Sequence, residues 1–593
     1  MRTQHLIYYL VITVLTLISI FALQKILPSE LYVVSLLMMF IVMLNSSKRD
    51  LALSTVIIAL FIVYSSWALA TQWTTLPRSD PLPYYEYLKN VADAGRIIEH
   101  DYMDSMPFWP LLNTIYSEVC SVSLLETVQL LNSILYAILV PASTIIIYQH
   151  YYPALKYGSS RYVHISFVLA LILATLSSFT VFNATNPKSA SLSLLLGYLI
   201  TAILTRIFTV REMNYPVAIL MILFSISFVE YHLYESFMFF ITYLIMLILL
   251  FLSNQLKLLY NDMVASLRVF IRMLLIFVAS LIVWYLSLLA VSPGEIRTII
   301  NALLKPQCNI EERAYEPLTG IDVKQYFEEL YYIPRDLLLI LDRLVLINYS
   351  ILLIPAAISC LLTTLIILSK RKHVMAMELF FKYMLSAAFI VTPIQAALFA
   401  TGLDKLLICF IPLIAVVSGS FIGRFLVKIR SNSLAASFAI MIMFTYVSGS
   451  VLTLGSKNYP AIFVWSGDVT PESMGFSSRW GSYALHIINT FIERSAVTIY
   501  ADSKGILNAL AGKDIASDLL NPSLCTPDKL ASVKEATVII ILRNFLPYYI
   551  AHKYVSLSIK EYRMFINSIK KVVVDTYNLV YYEGSIKIYY SGY

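Results

Sequence analysis

Runs of about twenty largely apolar residues, the length that crosses a bilayer's hydrocarbon as a helix, recur along the chain up to residue 454. They fall near 6–24, 31–45, 51–73, 125–148, 163–182, 189–209, 216–229, 236–252, 268–291, 344–369, 376–400, 404–427 and 434–454, the second and seventh being short. Few folds can house such a pattern. In lipid every backbone N–H and C=O must be satisfied within the protein, which leaves helices or closed barrels, and runs of this length are helical. The expected fold class is therefore mostly α: a polytopic transmembrane helical bundle of about 13 spans. Composition agrees, with 59% hydrophobic and only 13% charged residues, where a soluble domain is nearer a quarter charged. The first run, Leu6 to Leu23, has no small-residue cleavage site before the next run and reads as a span.

The charges fix an orientation. Lys48 and Arg49, Lys156 and Arg161, Arg206 and Arg211, Lys257 with Arg268 and Arg272, Lys370 to Lys372, and Lys428 with Arg430 lie in alternate connections. By the positive-inside rule these face the cytoplasm, so the N-terminus is expected inside and the C-terminus outside, in a multi-pass cell-membrane protein. The net charge of +7 then follows from topology and implies no nucleic-acid partner. Three large regions share the outer side: the loops 74–124 and 292–343, and the tail from 455.

The tail has another texture. "SAVTIYAD" and "ATVIIILRN" are short β-branched runs like buried strands, "SRWGSYALHIINTFI" has helical periodicity, and "YNLVYYEGSIKIYY" alternates about Glu583-Gly584 as a hairpin does. Residues 455–593 are expected to form an extracytoplasmic α/β domain, and residues 51–454 the main membrane domain. The five cysteines are scattered without a CxxC or Cys/His cluster, which argues against thiolate metal chemistry. Cys308 and Cys525 both fall outside; they either pair or stay free.

Soluble-enzyme signatures are absent: no GxxxxGK[ST], HExxH, GxSxG or Gly-rich dinucleotide turn occurs. What remains is acids at the outer ends of spans, where carboxylates can hold a divalent cation and the cation can neutralise a phosphate leaving group. In "TTLPRSDPLPYYEYLKNVADAGRI", Asp80 follows a span and Arg78, is fenced by Pro81 and Pro83, and precedes tyrosines suited to the headgroup layer. It is either a solvated loop acid or the first ligand of a site. "YYEYLKNVADAGRIIE" reads as an amphipathic surface helix, and "HDYMDSMPFWPLLNTIYSEV" returns to the interface, with Asp101 and Asp104 as alternative acids.

This arrangement of a span, an acid with Pro and aromatics, a surface helix and an aromatic-Pro re-entry resembles the first outer loop of GT-C membrane glycosyltransferases. The form "DPLPYYEYLKNVADAGRI" is most similar to archaeal and bacterial oligosaccharyltransferase catalytic subunits; "FNATNPKSASLSLLLGYL", "TGLDKLLICFIPLIAVVSG" and an outer α/β tail echo the same layout. Residues 1–50 look like an added transmembrane hairpin. The resemblance implies a sugar delivered on a polyprenyl phosphate or pyrophosphate, with Asp80 binding metal (Mg²⁺ or Mn²⁺) or activating the acceptor. It implies that Lys405, with Arg78, contacts the donor phosphate. Two departures stand out: the acidic pair of the second outer loop is missing from "VFNATNPKSA", and the tail lacks two tryptophans followed by Asp-Tyr-Gly. A transferase adding one sugar tolerates these better than sequon-directed transfer does, and so does a paralogue without activity.

Further carboxylates can complete a metal site. "FVEYHLYESFMFF" puts Glu230, His232 and Glu235 at a short outer turn, and "NIEERAYEPLTGIDVKQYF" carries Glu312 and Glu316. Each is equally placed to face water. The reading is a membrane glycosyltransferase moving sugar from a polyprenyl-(pyro)phosphate donor to an unspecified acceptor glycan, lipid or protein on the outer face, with Asp80 catalytic. The alternatives are a catalytically inactive GT-C-like paralogue that binds lipid-linked glycan or a partner, and a transporter. The transporter is disfavoured because no intramembrane charge pairs or Gly-broken spans occur in matched halves.

Overall fold

A computed structural model of the chain describes residues 81–96, 108–151, 160–184, 189–210, 215–231, 233–255, 335–368, 376–399, 409–429, 497–501, 516–519, 537–543, 559–583 and 586–591, with scattered residues at 10–39, 271–286, 407 and 437–446. Helix α1 spans Pro81–Ala94 and begins on the residue after Asp80. Tyr87, Leu88 and Val91 are buried along one stripe while Lys89, Asn90 and Asp93 are exposed, the pattern of a helix lying on a surface. The sequence suggested a longer helix. It stops at Gly95, whose φ of +63° and N–H···O bond to Ala92 at 3.3 Å close the last turn in a conformation glycine adopts without strain.

Helix α2, Phe108–Cys120, buries Trp109, Pro110 and Asn113 against its neighbours α1 and α3. Ser121 then takes a φ of +54°, and the N–H groups of Ser121 and Val122 bond back to Glu118 and Ser117, satisfying carbonyls at the helix end. The chain enters α3, Leu124–Tyr151, through a reciprocal cap. The Ser123 hydroxyl accepts from the Glu126 N–H at 3.3 Å, and the Glu126 carboxylate accepts from the Ser123 hydroxyl at 2.7 Å and its N–H at 3.3 Å. Glu126 is thus spent on holding a helix start.

The remaining helices are α4 (Ser160–Thr175), α5 (Ser178–Ala184), α6 (Ser189–Val210), α7 (Tyr215–Tyr231), α8 (Leu233–Gln255), α9 (Arg335–Leu368), α10 (Ala376–Phe399) and α11 (Ile411–Lys428). Among the described residues, Glu126–Tyr151, Ser191–Thr209, Ile347–Leu365 and Ile411–Lys428 are long and apolar enough to cross a membrane, and four shorter apolar helices accompany them. One expected span differs. The run 163–182 divides into α4 and α5, because the Ser177 hydroxyl caps the Thr180 N–H at 3.0 Å and starts a new helix. Within the run 404–427, α11 starts at Ile411 with Pro412 in its first turn, the one place in a helix that tolerates its missing N–H.

Since lipid tails are as apolar as leucine, association rests on close packing and on polar clasps. The closest pair is α4 with α11. A Cβ on Gly419 would lie 2.7 Å from the backbone nitrogen of Ala170, and one on Gly423 would lie 2.4 Å from the Ser166 hydroxyl. Asn348, fully buried on α9, accepts from the Ser178 N–H at 3.0 Å and donates to the Tyr446 carbonyl at 2.7 Å. Tyr446 in turn donates its hydroxyl to the Leu173 carbonyl at 2.6 Å. One asparagine thereby joins the α4–α5 break to two other parts of the bundle.

Toward the C-terminus a five-stranded sheet has the order β2-β1-β3-β5-β4, from β1 (Val497–Ala501), β2 (Ala516–Leu519), β3 (Thr537–Arg543), β4 (Asn578–Glu583) and β5 (Ile586–Ser591). β1 is parallel to β2 and β3, with Ile499 opposite Ile539, while β5 runs antiparallel to β3 and β4. Glu583 pairs with Ile586 at the end of β4 and the start of β5. Helix α12, Ile559–Thr576, precedes β4 and buries Ile569 and Val573 one turn apart. Neither β2 nor α12 was evident from residue patterns. "SRWGSYALHIINTFI" lies outside the described residues.

Candidate functional site

The turn between α7 and α8 is where two candidate acids fall. Glu230 is next to the last residue of α7 and Glu235 is the third residue of α8, so only His232 separates the two helices. Directly beneath, Phe228 of α7 and Phe239 of α8 meet edge to face with ring centroids 5.2 Å apart. Phe239 also stacks flat on Phe410, centroids 5.1 Å apart and planes inclined by 2°. All three rings are fully buried. Phe410 is five residues beyond Lys405, at the turn that leads into α11. The aromatic stack therefore draws together three chain segments, and each carries a candidate charge a few residues away.

Two further features make room for that stack. Gly197 of α6 faces Phe239 and Phe228, with its virtual Cβ at 3.4 and 3.7 Å. One turn on, the Thr201 and Tyr243 hydroxyls lie 3.3 Å apart, and Tyr243 packs at 4.8 Å from Phe239. Aromatic pairs of this kind contribute about 0.5–1.5 kcal/mol beyond their buried area. Helix α2 packs on α7 as well as on α1 and α3, so Phe108–Cys120 borders the Glu230 helix. The end of α5 is held from α3: Asn132 donates to the carbonyls of Asn183 and Ala184 at 2.7 and 2.9 Å. Its own buried Oδ1 has no protein hydrogen-bond partner, a place for water. On α2, burial and then the neighbouring Cys120 thiol push the Tyr116 phenol above its ordinary value, so it stays protonated at neutral pH and is no base.

Several solved structures are similar to this chain. That of ArnT from Cupriavidus metallidurans bound to undecaprenyl phosphate matches at a TM-score of 0.47 and 9% identity, over 91% of this chain and 97% of that one. The archaeal oligosaccharyltransferase AglB from Archaeoglobus fulgidus, in complex with an inhibitory peptide and a dolichol-phosphate, matches at 0.42 and 13%, over 82% of this chain and 69% of that one. No family model and no curated protein sequence matches the chain.

Of the candidate site residues, Glu230 and Glu235 are placed by their helices at one break. Asp80, Arg78, Lys405, Glu312 and Glu316 lie outside the described residues, as do Asp101, Asp104, His232, Cys308 and Cys525. Among the described residues no group of three His, Cys, Asp or Glu is assembled to hold a metal. The candidate carboxylates are hard oxygen donors, the type Mg²⁺ and Mn²⁺ accept. Glu230 and Glu235 with Asp80 would be the residues to hold such an ion, whose chemistry is to neutralise a departing phosphate.

Lys382 was missed by residue patterns. It is the seventh residue of α10, is buried, and its ammonium donates to the Thr363 hydroxyl of α9. A lone lysine inside an apolar run is the signal that points to it. The aromatic stack had no such signal, because Phe228, Phe239 and Phe410 look like any lipid-facing phenylalanine until the helices are packed.

Proposed function

We propose that this membrane protein is a glycosyltransferase that moves a sugar from a polyprenyl-(pyro)phosphate donor to an acceptor at the membrane face bearing α1. The observation that supports it most is the Phe228–Phe239–Phe410 cluster, which joins the break carrying Glu230 and Glu235 to the start of α11, five residues after Lys405 in sequence. The layered first outer loop, α1 lying on α2, borders that place. An anionic lipid phosphate suits a site of this make-up: a lysine pairs with the phosphate at the membrane surface while the prenyl chain remains in lipid.

In the proposed reaction the acceptor's hydroxyl or amide nitrogen attacks the anomeric carbon as the bond from that carbon to the phosphate oxygen breaks. The phosphate leaves with the electron pair, steadied by Lys405 and Arg78. Asp80, on the residue before α1, takes the acceptor's proton as general base. A carboxylate in this role contributes roughly 10²–10⁴-fold to rate.

The test is Asp80→Asn assayed with a polyprenyl-phosphate-linked sugar, with Mg²⁺ or Mn²⁺ supplied. Transfer is expected to fall at least about a hundredfold while the thermal unfolding midpoint stays at its wild-type value. Turnover equal to wild type would overturn the role of Asp80. No transfer by a well-folded wild type that still binds the donor would favour the second reading, a non-catalytic binder of lipid-linked glycan. The missing acids in "VFNATNPKSA" favour that reading.

A further inference from the structure

The opposite end of the bundle carries a second arrangement of charge and apolar surface. Helix α3 runs 28 residues away from α2, about 40 Å at 1.5 Å per residue. At its far end the Tyr148 hydroxyl donates to the Val163 carbonyl at 2.6 Å, fixing the start of α4 there. Tyr162, on that first turn, is almost fully buried and donates its hydroxyl to the Ser420 carbonyl at 3.3 Å. The same hydroxyl accepts from Arg424 Nε at 2.9 Å, and the guanidinium carbon lies 6.0 Å from the Tyr162 ring centroid. Arg424 is exposed, as is Lys428 one turn later on the same face.

An arginine in bulk solvent gains little from such fixing. Here it is held by a buried phenol beside apolar surface. Phe425 and Phe438 meet edge to face at 6.3 Å, and they remain 54% and 37% exposed, with Met441 at 56%. Exposed aromatic surface next to a fixed guanidinium and an ammonium matches one chemistry, a phosphodiester headgroup with its acyl chains. Among the described residues, the carboxylate side chains Asp93, Glu118 and Glu126 belong to α1, α2 or the start of α3, and Asp575 belongs to α12.

We propose that Arg424 and Lys428, with Tyr162 and the wall formed by Phe425 and Phe438, bind the headgroup and chains of an anionic phospholipid in the leaflet at this end. Basic pockets between helices recognise anionic lipid this way. The site is separate from the one that holds the donor in the proposed reaction.

The probe is phosphatidylglycerol. The full-length protein is placed in nanodiscs of equal phosphatidylglycerol and phosphatidylcholine, extracted in mild detergent, and its retained lipid quantified. Wild type is expected to retain phosphatidylglycerol over phosphatidylcholine by about tenfold, from two cations near the surface. That preference should fall to within about twofold of parity in Arg424→Gln/Lys428→Gln, and persist in Arg424→Lys/Lys428→Arg. Arg206→Gln, an exposed cation on α6, should leave it unchanged. Equal retention of both lipids by wild type overturns the proposal. So does a preference that survives the double variant, or one that Arg206→Gln abolishes as fully, since that would be diffuse charge. Should the double variant not fold, wild type alone decides. The preference must weaken in about 1 M salt, where the Debye length is ~3 Å, and persistence there also overturns the site.

Discussion

Lys405 stands five residues before a ring stacked on α8, which makes it the most direct single-residue test of where the donor phosphate sits. Lys405→Gln keeps length and polarity but loses charge. A hydrogen bond to a charged group contributes ~1.5–3 kcal/mol, so KM for the lipid-linked donor should rise about tenfold or more. Because the phosphate is bound in ground and transition states alike, kcat should change far less. Steady-state kinetics against donor concentration reads the two separately, and an unchanged KM would remove Lys405 from the site. Asn348 makes a contrasting case, with no part in chemistry. Asn348→Leu keeps approximate volume but strips the Ser178 N–H and the Tyr446 carbonyl of their partner. Each buried group left unpaired costs ~1–3 kcal/mol. Thermal unfolding in detergent should report a loss of about 2–4 kcal/mol; a loss below ~0.5 kcal/mol would show the clasp to be incidental.

At the scale of elements, α4 and α11 cross so closely that their contact admits only small residues, and the two glycines there should behave differently. At Gly419 an added methyl meets backbone, the Ala170 nitrogen at 2.7 Å, so the helices themselves must separate. Gly419→Ala should destabilise by roughly 1–3 kcal/mol. At Gly423 the obstacle is the Ser166 hydroxyl, whose oxygen is buried without a hydrogen-bond partner, and the Ser166 Cα and Cβ lie at 3.4 Å. Gly423→Ala should therefore be repaired by Ser166→Ala, a coupling of order 0.5–3 kcal/mol in a double-mutant cycle. Gly419→Ala should not be. Equal rescue of both would mean that the helix spacing is looser than the geometry shows.

For the whole molecule, charge placement in the sequence leads to the expectation that the tail from residue 455 lies outside the cell membrane. Protease added to right-side-out vesicles is expected to cut within the tail. Cleavage confined to inside-out vesicles would invert the arrangement and move the proposed site with it.

The existence of membrane helices, the amphipathic α1 and the strand character of Val497–Ala501, Thr537–Arg543 and the final hairpin were all legible in the residues. Each is a local property: apolar run length, a 3.6-residue stripe, or a β-branched run ending at Gly. Local signals failed where a neighbour decides the outcome. Ser177 ends a span by capping its own successor. β2 is four residues, "ASDL", with no pattern of its own, and pairs because β1 offers a parallel edge. The candidate charges could be named from sequence as acids and a lysine at the ends of apolar runs. That the Glu230–Glu235 break and the start of α11 share one aromatic cluster depended on packing, because residues more than 160 positions apart meet only when helices do. In lipid, where apolar surface alone gives no preference among partners, that choice falls to ring stacking, to Gly419 and Gly423, and to Asn348.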